Sequence, residues 1–415
     1  MIAKKKKIFI GTIDIAYQIR DFKKGFESLG YEVITGVQFD SLSRFKQKFD
    51  YDYVFSEVKK KWFRGIRPKR LQKYLQNKFN PRKKAIYKII DECDIFLFMW
   101  TSLFVNNADL ELLKKKGKKI VVFFVGSDIR YFHSFEQEMK KYGIPSFYND
   151  QMKAEPLRQL ESKLSYLRNV EKFADLIYNL PNQGQLALRP YFHFFVPVDT
   201  SLIKENTKQR EIPVVIHAPS SRASKGTETI LATFEQLKRD GLKFDSKLIE
   251  NTPYEEALLE YTNADILVAE LIIPSGGKLD REALAAGTVV LSSINKDYID
   301  LVPDDCPIIH VNPDNLYDQL KSLIIDYPRR VSLARMGRPY VEKYHSINFI
   351  PGLILERLNI NEKDLKYDYY PDFYLNEYVP ESENIELHND WIKVVKNCIW
   401  YKEHIKSGIR DSLDF

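Results

Sequence analysis

The sequence predicts an α/β protein built from two similar halves, each a mainly parallel sheet covered by helices. Two observations predict this class. Strand-like apolar runs alternate with amphipathic helical runs in two separate stretches, which is typical of β-α-β crossovers. The chain also has 415 residues, more than one ordinary hydrophobic core contains, so two domains are expected.

The first stretch opens on a short apolar strand and alternates from there. Its predicted strands are Lys7–Gly11, Glu32–Val37, Ile95–Trp100, Lys119–Val125 and Leu176–Leu180. Its predicted helices are Ala16–Leu29, Asp109–Lys116 and Pro156–Phe173.

The second stretch repeats this alternation. Its predicted strands are Val214–Ala218, Asp245–Glu250, Asp265–Ala269, Val289–Ser292 and Ile308–Val311. Its predicted helices are Thr227–Asp240, Tyr254–Asn263, Asp280–Ala286 and Asn315–Asp326. Two consecutive arrays of the same kind therefore predict two similar domains.

A linker and a change of pattern set the domain boundaries. Phe194–Pro213 contains Pro197 and Asp199 and lacks periodicity, so it is the predicted linker. The expected domains are residues 1–195 and 196–350, followed by an aromatic and helical extension over 351–415. The extension has an acidic, aromatic stretch and then a helix with one apolar face, which either packs on its own protein or binds a partner.

Composition excludes several classes of protein. With 44% hydrophobic and 29% charged residues, the chain is neither disordered nor fibrous. Three well-separated cysteines predict no disulfide framework or thiolate metal site and fit a reducing, cytoplasmic compartment. Seven histidines show no short metal-ligand spacing, so no metal is expected. The longest apolar run, Ile95–Val105, is too short to cross a bilayer.

One segment carries most of the positive charge. The formal net charge is +6, yet Val58–Ile90 alone holds 13 Lys or Arg and no Asp or Glu. Apolar residues interleave with this charge, so the segment could lie on an anionic membrane surface or receive phosphate groups. The plainer interpretation is one or two solvated helices with apolar undersides. Nucleic acid is not expected as a partner, because no recognised binding motif accompanies the charge.

Candidate catalytic residues lie in the loop that follows the first strand of the second half. His217–Thr227 places Arg222 and Lys225 just before a helix, at the carboxyl end of the predicted sheet, where doubly wound folds bind ligands. A guanidinium fork, a compact ammonium and free amides at the helix start together suit a diphosphate. Taken alone, an Arg-x-x-Lys pair at the start of a helix usually consists of two exposed surface side chains with no ligand.

A second loop supports the first. Ser275, Gly276 and Gly277 lead into a helix bearing Glu282. Paired glycines let a ligand approach the backbone, and a carboxylate one turn into the helix can accept hydrogen bonds from vicinal hydroxyls such as those of ribose. We therefore expect Arg222, Lys225 and Glu282 to converge on one nucleotide sugar. The alternative is an Ala-rich packing helix with Glu282 exposed.

These motifs resemble the retaining GT-B glycosyltransferases of family 4. The resemblance covers most of residues 5–345, and its motifs are specific as a set. It is carried by His217–Gly226, Ala264–Val268, Gly277–Val290, Leu113–Val122 before Gly126–Arg130, and Phe173–Asp175 before Val196–Asp199.

The resemblance implies two Rossmann-like, doubly wound domains that face a cleft, with a C-terminal helical extension. The residues matching Arg222 and Lys225 would hold the donor diphosphate, and Glu282 would hold the ribose. The family works without a metal or other cofactor. A donor phosphate oxygen accepts the acceptor's proton in its usual mechanism, so no protein base is required.

Three other regions acquire roles by the same resemblance. Gly11 and Thr12 resemble the loop that approaches the donor phosphates, and the backbone of Ile249 and Glu250 would adjoin the nucleobase, most commonly uracil. Asp128 lies where family members place residues beside the reacting carbon, although it could equally cap its turn and pair with Arg130.

One position departs from the family. The Glu-x7-Glu motif would place its first carboxylate at residue 274, where this chain has Pro274. Sugar contacts normally made there would come from Glu270, Ser275 or the amides of Gly276 and Gly277. The departure puts the identity of the donor sugar, and activity itself, in question.

The leading prediction is a retaining glycosyltransferase that moves a sugar from a nucleotide diphosphate sugar, most commonly a UDP-sugar, to a glycan or lipid-linked acceptor, as in bacterial surface polysaccharide synthesis. A protein acceptor stays open, and the basic segment would hold the cytoplasmic enzyme at the inner face of the plasma membrane. The alternatives are a non-catalytic sugar-nucleotide or carbohydrate-binding protein of the same fold, and a sugar-nucleotide 2-epimerase.

Overall fold

A computed structural model of the chain confirms the predicted α/β class with two parallel sheets. The residues that it describes are 6–39, 49–56, 81–104, 108–126, 128–130, 135, 139, 157–180, 183, 184, 186, 187, 189–274, 276–294 and 302–369.

The first domain contains a seven-stranded parallel sheet of order β3-β2-β1-β4-β5-β6-β7. Its strands are β1 Lys7–Thr12, β2 Glu32–Val37, β3 Tyr53–Val54, β4 Ile95–Met99, β5 Lys119–Phe123, β6 Leu176–Asn179 and β7 Phe192–His193. Its described helices are α1 Gln18–Ser28, α2 Pro81–Glu92, α3 Ala108–Lys115 and α4 Leu157–Phe173. This strand order is that of a Rossmann-like, doubly wound sheet.

The second domain contains a five-stranded parallel sheet of order β12-β11-β10-β8-β9. Its strands are β8 Val214–His217, β9 Asp245–Leu248, β10 Ile266–Glu270, β11 Val289–Ser292 and β12 Ile309–His310. Its helices are α5 Arg222–Lys225, α6 Thr227–Arg239, α7 Tyr254–Thr262, α8 Lys278–Ala285, α9 Leu316–Ile325 and α10 Tyr327–Tyr344, after which comes α11 Phe349–Asn359. Strand order reverses between β8 and β10, which creates a topological switch point there.

Apolar clusters cover both faces of each sheet, as continuous hydrophobic strands require. Phe96 and Phe98 of β4 contribute to one face of the first sheet, and Leu97 contributes to the other. In β10, Ile266 and Val268 point to one cluster while Leu267 joins the opposite one. The strict alternation fixes the register of both sheets.

The chain passes between the domains twice, and the two passages lie side by side. Val198 and Ser346 form an isolated parallel bridge, with the amide of Val198 donating to His345 O at 2.7 Å. The second passage leads into α11, whose Ile350 and Ile354 pack in the same cluster as Phe22 of α1. The described start of the predicted extension therefore packs on the first domain.

A buried arginine ties the helices of the second domain together. Arg330 of α10 is fully buried, and Nη1 donates to the carbonyls of Leu323 and Ile324 near the end of α9, at 2.6 and 2.8 Å. Its Nη2 donates to the carbonyls of Arg210 and Glu211, at 2.6 and 3.4 Å. Side chains that donate to the last carbonyls of a helix stabilise its end.

Only part of the basic segment lies within the described residues. Over Pro81–Glu92 it forms α2, where Ile86, Ile89 and Ile90 are buried and Lys88 is exposed. This portion matches the plainer interpretation, a solvated helix with an apolar underside. Residues 58–80 lie outside the described part of the chain, as does the predicted apolar-faced helix bearing Trp391, Val394, Val395 and Cys398. Among the described helices, none combines the length and apolarity needed to cross a bilayer.

Candidate active site

The two predicted phosphate-binding cations lie at the carboxyl edge of the second sheet. Arg222 and Lys225 begin and end the four-residue helix α5, which the sequence did not predict and which follows β8. Gly226 then adopts the left-handed conformation, with φ of 72°, and turns the chain into α6. This places both cations beside the switch point between β8 and β10.

Carboxylates hold both cations. Lys225 Nζ donates to Glu270 Oε2 at the end of β10, at 2.7 Å. Arg222 pairs with Glu250 and with Glu228, each at 2.9 Å. The Arg222 side chain is 43% exposed, whereas that of Lys225 is 21% exposed and that of Glu270 is 3% exposed. The site thus presents one accessible guanidinium and one half-buried ammonium.

Lys225 remains charged in this setting. Burial lowers the pKa of its amine, but the carboxylates of Glu270 and Asp280 more than offset that effect, so the pKa is raised. Asp280 belongs to the first turn of α8, so the second predicted loop does approach the first.

His217, at the end of β8, supports the loop from below. Its Nδ1 lies 2.7 Å from Val268 O, and its Nε2 lies 2.8 Å from Thr227 Oγ1. Burial lowers the pKa of His217 to about 4, so the ring is neutral, donates to the carbonyl and accepts from the hydroxyl. His217 therefore ties β8 to β10 and to the start of α6.

The glycines of the second loop have different surroundings. Gly276 has φ of 60°, and a Cβ there would clash with the guanidinium of Arg281. Among the described residues, no atom lies within 4 Å of the position that a Cβ on Gly277 would take, and α8 begins at the next residue, two residues earlier than predicted. Pro274 is buried before this turn, and Ser275 lies outside the described residues.

Glu282 belongs to a cluster that bridges the two domains. Tyr254 donates its hydroxyl proton to Glu282 Oε1 at 2.6 Å, and Lys278 Nζ lies 3.8 Å from the same oxygen. Lys278 in turn pairs with Asp21 of α1 at 2.6 Å. Arg20 Nη2 donates to Tyr254 Oη at 3.3 Å, and Arg20 pairs with Asp21 at 2.9 Å. We call these five residues the interdomain ring.

The structure thus groups the predicted residues into two neighbouring clusters. Arg222 meets Glu250 directly, while Lys225 meets Glu270 near Asp280. Asp280 and Glu282 are two residues apart on α8 and so face different directions. None of the described hydrogen bonds or ion pairs joins Glu282 to the two cations. The role of Glu282 at the ribose stays a prediction.

The nucleobase region and the first loop also have defined positions. Ile249 is buried, follows β9, and donates its amide to His217 O at 2.8 Å. Gly11 and Thr12 belong to β1 itself, a correction to the prediction of a loop there. The Thr12 hydroxyl donates to Thr101 O at 2.6 Å, and a Cβ on Gly11 would clash with the carbonyl of Gly36.

Asp128 caps its own turn, as one of the two sequence interpretations predicted. Its carboxylate accepts from the amides of Val125 and Gly126, at 3.2 and 3.0 Å, and the Arg130 charge lies close enough to favour its ionised form. Burial nevertheless raises the pKa of Asp128 to about 6. A role beside the reacting carbon stays a prediction.

The Asp128 carboxyl should make folding stability depend on pH. Because its folded-state pKa is about 6 and its unfolded value is 3.8, protonation favours the folded state, and stability falls as pH rises through this window. The free energy of unfolding of the wild type should therefore rise by about 1 kcal/mol through this group as the pH falls from 7 to 5, and we expect Asp128→Asn to lose that rise. Urea unfolding at both pH values measures this, and an unchanged difference would contradict it.

Several residues of the site were not singled out from the sequence. Arg20, Asp21, Tyr254 and Lys278 entered no predicted motif, although they complete the surroundings of Glu282. Within the described ranges no group of three His, Cys, Asp or Glu side chains is arranged to bind a metal ion.

Comparison with solved structures identifies the fold. HepE from Anabaena, in complex with UDP and glucose, is 12% identical, with a TM-score of 0.54 over 85% of this chain and 99% of that one. Sucrose-phosphate synthase from Thermosynechococcus elongatus is 14% identical, with a TM-score of 0.55 over 86% and 99%. An α-glucosyltransferase in complex with UDP is 12% identical, with a TM-score of 0.54 over 86% and 100%.

The class that these comparisons define is a two-domain α/β protein with a Rossmann-like sheet in each domain. More particularly, the chain has the GT-B fold, the fold of the glycosyltransferases that it resembles in structure. No protein-family model matches the sequence, and no curated protein sequence matches it either.

Proposed function

We propose that this chain is a retaining glycosyltransferase that uses a nucleotide diphosphate sugar, with UDP as the nucleotide, and a glycan, lipid-linked or protein acceptor. The observation that carries the proposal is the placement of Arg222 and Lys225 at the switch point of the second GT-B domain. Structural neighbours that bind UDP and UDP-glucose support the choice of nucleotide.

In the proposed reaction, the two cations bind the donor diphosphate and stabilise the charge that develops on it as the glycosidic bond breaks. The guanidinium of Arg222 exchanges its exposed carboxylate partners for phosphate oxygens, which accept two parallel hydrogen bonds. Lys225 adds a compact charge from the half-buried side. A phosphate oxygen takes the acceptor's proton, and Asp128 lies beside the reacting carbon.

The donor sugar is held by groups other than a carboxylate at residue 274. The Glu270 carboxylate lies at the end of β10 beside Lys225, where it can accept hydrogen bonds from sugar hydroxyls. No described atom lies within 4 Å of a Cβ position on Gly277, which leaves the first amides of α8 open to a ligand from that side of the described part of the chain. Ser275 belongs to the same loop of the sequence.

Pro274 favours a second candidate, a GT-B protein that binds sugar nucleotides without turnover. The two functions differ in a direct assay. A transferase releases UDP from a UDP-sugar only when an acceptor is present, whereas a binding protein shows saturable heat on calorimetric titration but no release across an acceptor panel. A 2-epimerase would instead convert the UDP-sugar to its isomer without any acceptor. Failure of UDP and UDP-sugars to bind at all would refute all three.

Membrane attachment is part of the proposal for a lipid-linked acceptor and a polysaccharide pathway at the inner face of the plasma membrane. We expect the protein to float with liposomes that contain anionic lipid and to stay in solution with neutral ones, because anionic lipid headgroups attract Lys and Arg side chains near the membrane surface. Charge reversal at Lys59, Lys60 and Lys61 should reduce flotation. Equal flotation of this variant would contradict membrane binding by the basic segment.

A further inference from the structure

The interdomain ring is compact and balanced in charge. Two cations, Arg20 and Lys278, meet two carboxylates, Asp21 and Glu282, with the Tyr254 hydroxyl between Arg20 and Glu282. Side-chain exposure is 0% for Asp21, 4% for Lys278 and 5% for Glu282. The ring has a first-domain half, Arg20 and Asp21, and a second-domain half with the other three residues. Because a buried charge that loses its partner is costly, the two halves should be either fully joined or fully separated.

Aromatic contacts reinforce the ring across the same boundary. The rings of Tyr17 and Tyr254 lie 4.7 Å apart, and the Arg20 guanidinium lies 4.4 Å from the first ring centre and 5.0 Å from the second. Cation–π contacts gain strength when they are shielded from water. Closure of the two domains therefore builds a shared, dehydrated contact rather than a single surface ion pair.

The backbone just before α1 has an unusual conformation and contacts the second domain. Ala16 and Tyr17 have φ of 55° and 58°, a left-handed conformation that is unfavourable for residues with a Cβ. The Ala16 carbonyl accepts a hydrogen bond from Lys278 Nζ at 2.5 Å. Such a conformation persists where surrounding contacts enforce it, and here one of those contacts comes from α8.

The same lysine connects this boundary to Glu282. Glu282 Oε1 accepts from Tyr254 and faces Lys278, whereas no described hydrogen bond reaches Glu282 Oε2. Two fixed neighbours thus orient the carboxylate and leave an oxygen for another donor. Burial raises the pKa of Glu282 and the charge of Asp21 adds to that rise, but no described hydrogen bond or ion pair joins the two carboxylates. Asp21 therefore orients Glu282 through Lys278.

We propose that Asp21 is a positioning residue that couples closure of the two domains to nucleotide binding. When the domains close, Asp21 fixes Lys278, and Lys278 with Tyr254 fixes the Glu282 carboxylate towards a ribose hydroxyl. The proposal rests on the proposed function for the ribose contact, but the closure itself does not. By thermodynamic reciprocity, nucleotide binding stabilises the closed arrangement by the same free energy.

The test is Asp21→Asn, which removes the charge and keeps the shape. We expect its radius of gyration without ligand, measured by small-angle X-ray scattering, to exceed the wild-type value. Calorimetric titration with UDP should show an affinity about 5- to 150-fold lower, the usual range for coupling between two sites. Saturating UDP should return the variant towards the wild-type radius.

Three variants control this experiment. Lys23→Gln removes an ion pair that lies wholly within α1, with Glu27 at 3.0 Å, so it should keep both readouts near wild type. The double variant Asp21→Asn/Lys278→Met should lose no more affinity than the more affected single variant, because the two residues act as one unit. Asp21→Glu should restore both readouts, and thermal unfolding verifies that each variant is folded.

The outcomes separate this inference from the proposed function. If wild type binds no UDP, the proposed function fails, while an expanded Asp21→Asn would still establish the closure contact. If wild type binds UDP but Asp21→Asn changes neither radius nor affinity, the coupling is refuted. A loss of affinity without expansion also refutes it, because closure is then not the link.

Discussion

Replacing Arg222 and Lys225 together by alanine should lower kcat/KM for sugar transfer by about 10²- to 10⁴-fold. Each charge-assisted hydrogen bond to a phosphate contributes about 1.5–3 kcal/mol, so the pair supplies about 3–6 kcal/mol of transition-state stabilisation. Arg222 is 43% exposed, and removing it should leave folding nearly intact. The measurement is UDP release from a UDP-sugar in the presence of an acceptor.

Lys225 needs a separate control because it neutralises Glu270. Burial raises the pKa of the Glu270 carboxyl, so that group can take up a proton once its partner is lost. Comparing the free energies of unfolding of Lys225→Ala and Lys225→Ala/Glu270→Gln therefore measures the cost of the unpaired buried charge without using turnover, which the proposed sugar contact of Glu270 would also change. Lys238→Ala removes an exposed cation of α6 and should retain wild-type turnover. Full activity of the Arg222/Lys225 double variant would refute the assigned roles.

Replacing Arg330 by methionine should lower the free energy of unfolding by about 3–5 kcal/mol. The side chain is fully buried, and its two terminal nitrogens donate to four carbonyl oxygens, two of them near the end of α9. Methionine fills much of the space but leaves those acceptors without donors, and each buried unsatisfied group costs about 1–3 kcal/mol. Urea denaturation monitored by circular dichroism measures the change.

Arg335→Met is the matched control for this prediction. Arg335 lies on the same helix, α10, but is exposed to solvent. Its substitution should change stability by no more than about 0.5 kcal/mol, as is usual for surface positions. Equal stabilities of the two variants would show that the carbonyl contacts of Arg330 do not hold α9 and α10 together.

The fold was predictable because its central strands, such as β1, β4 and β5, are continuous runs of mainly apolar residues. β4, Ile95–Met99, is buried along its whole length and reads from the sequence as a central strand. By contrast, β3 and β7 each have two residues, too few for a periodic pattern to emerge. The four-residue α5 escaped prediction for the same reason.

The two cations of the site were predictable because chain topology alone brings them to the sheet edge. They follow one strand directly, and parallel strands end at a common edge. The interdomain ring joins Asp21 to Lys278 across more than 250 positions, and no local pattern encodes such a contact. One local signal existed: Lys278 begins α8, where the helix dipole disfavours a cation unless a carboxylate compensates.

The return of the chain to the first domain through α11 has a practical consequence. Ile350 and Ile354 complete an apolar cluster that includes Phe22 and Phe26 of α1, and Gly25 makes room for the Ile347 carbonyl. The first domain is thus completed by a segment that follows the second domain in the sequence. A recombinant fragment that ends at residue 195 would expose the apolar residues of α1 that α11 covers, and this exposure would favour aggregation. Adding residues 346–369 as a separate peptide should cover them again.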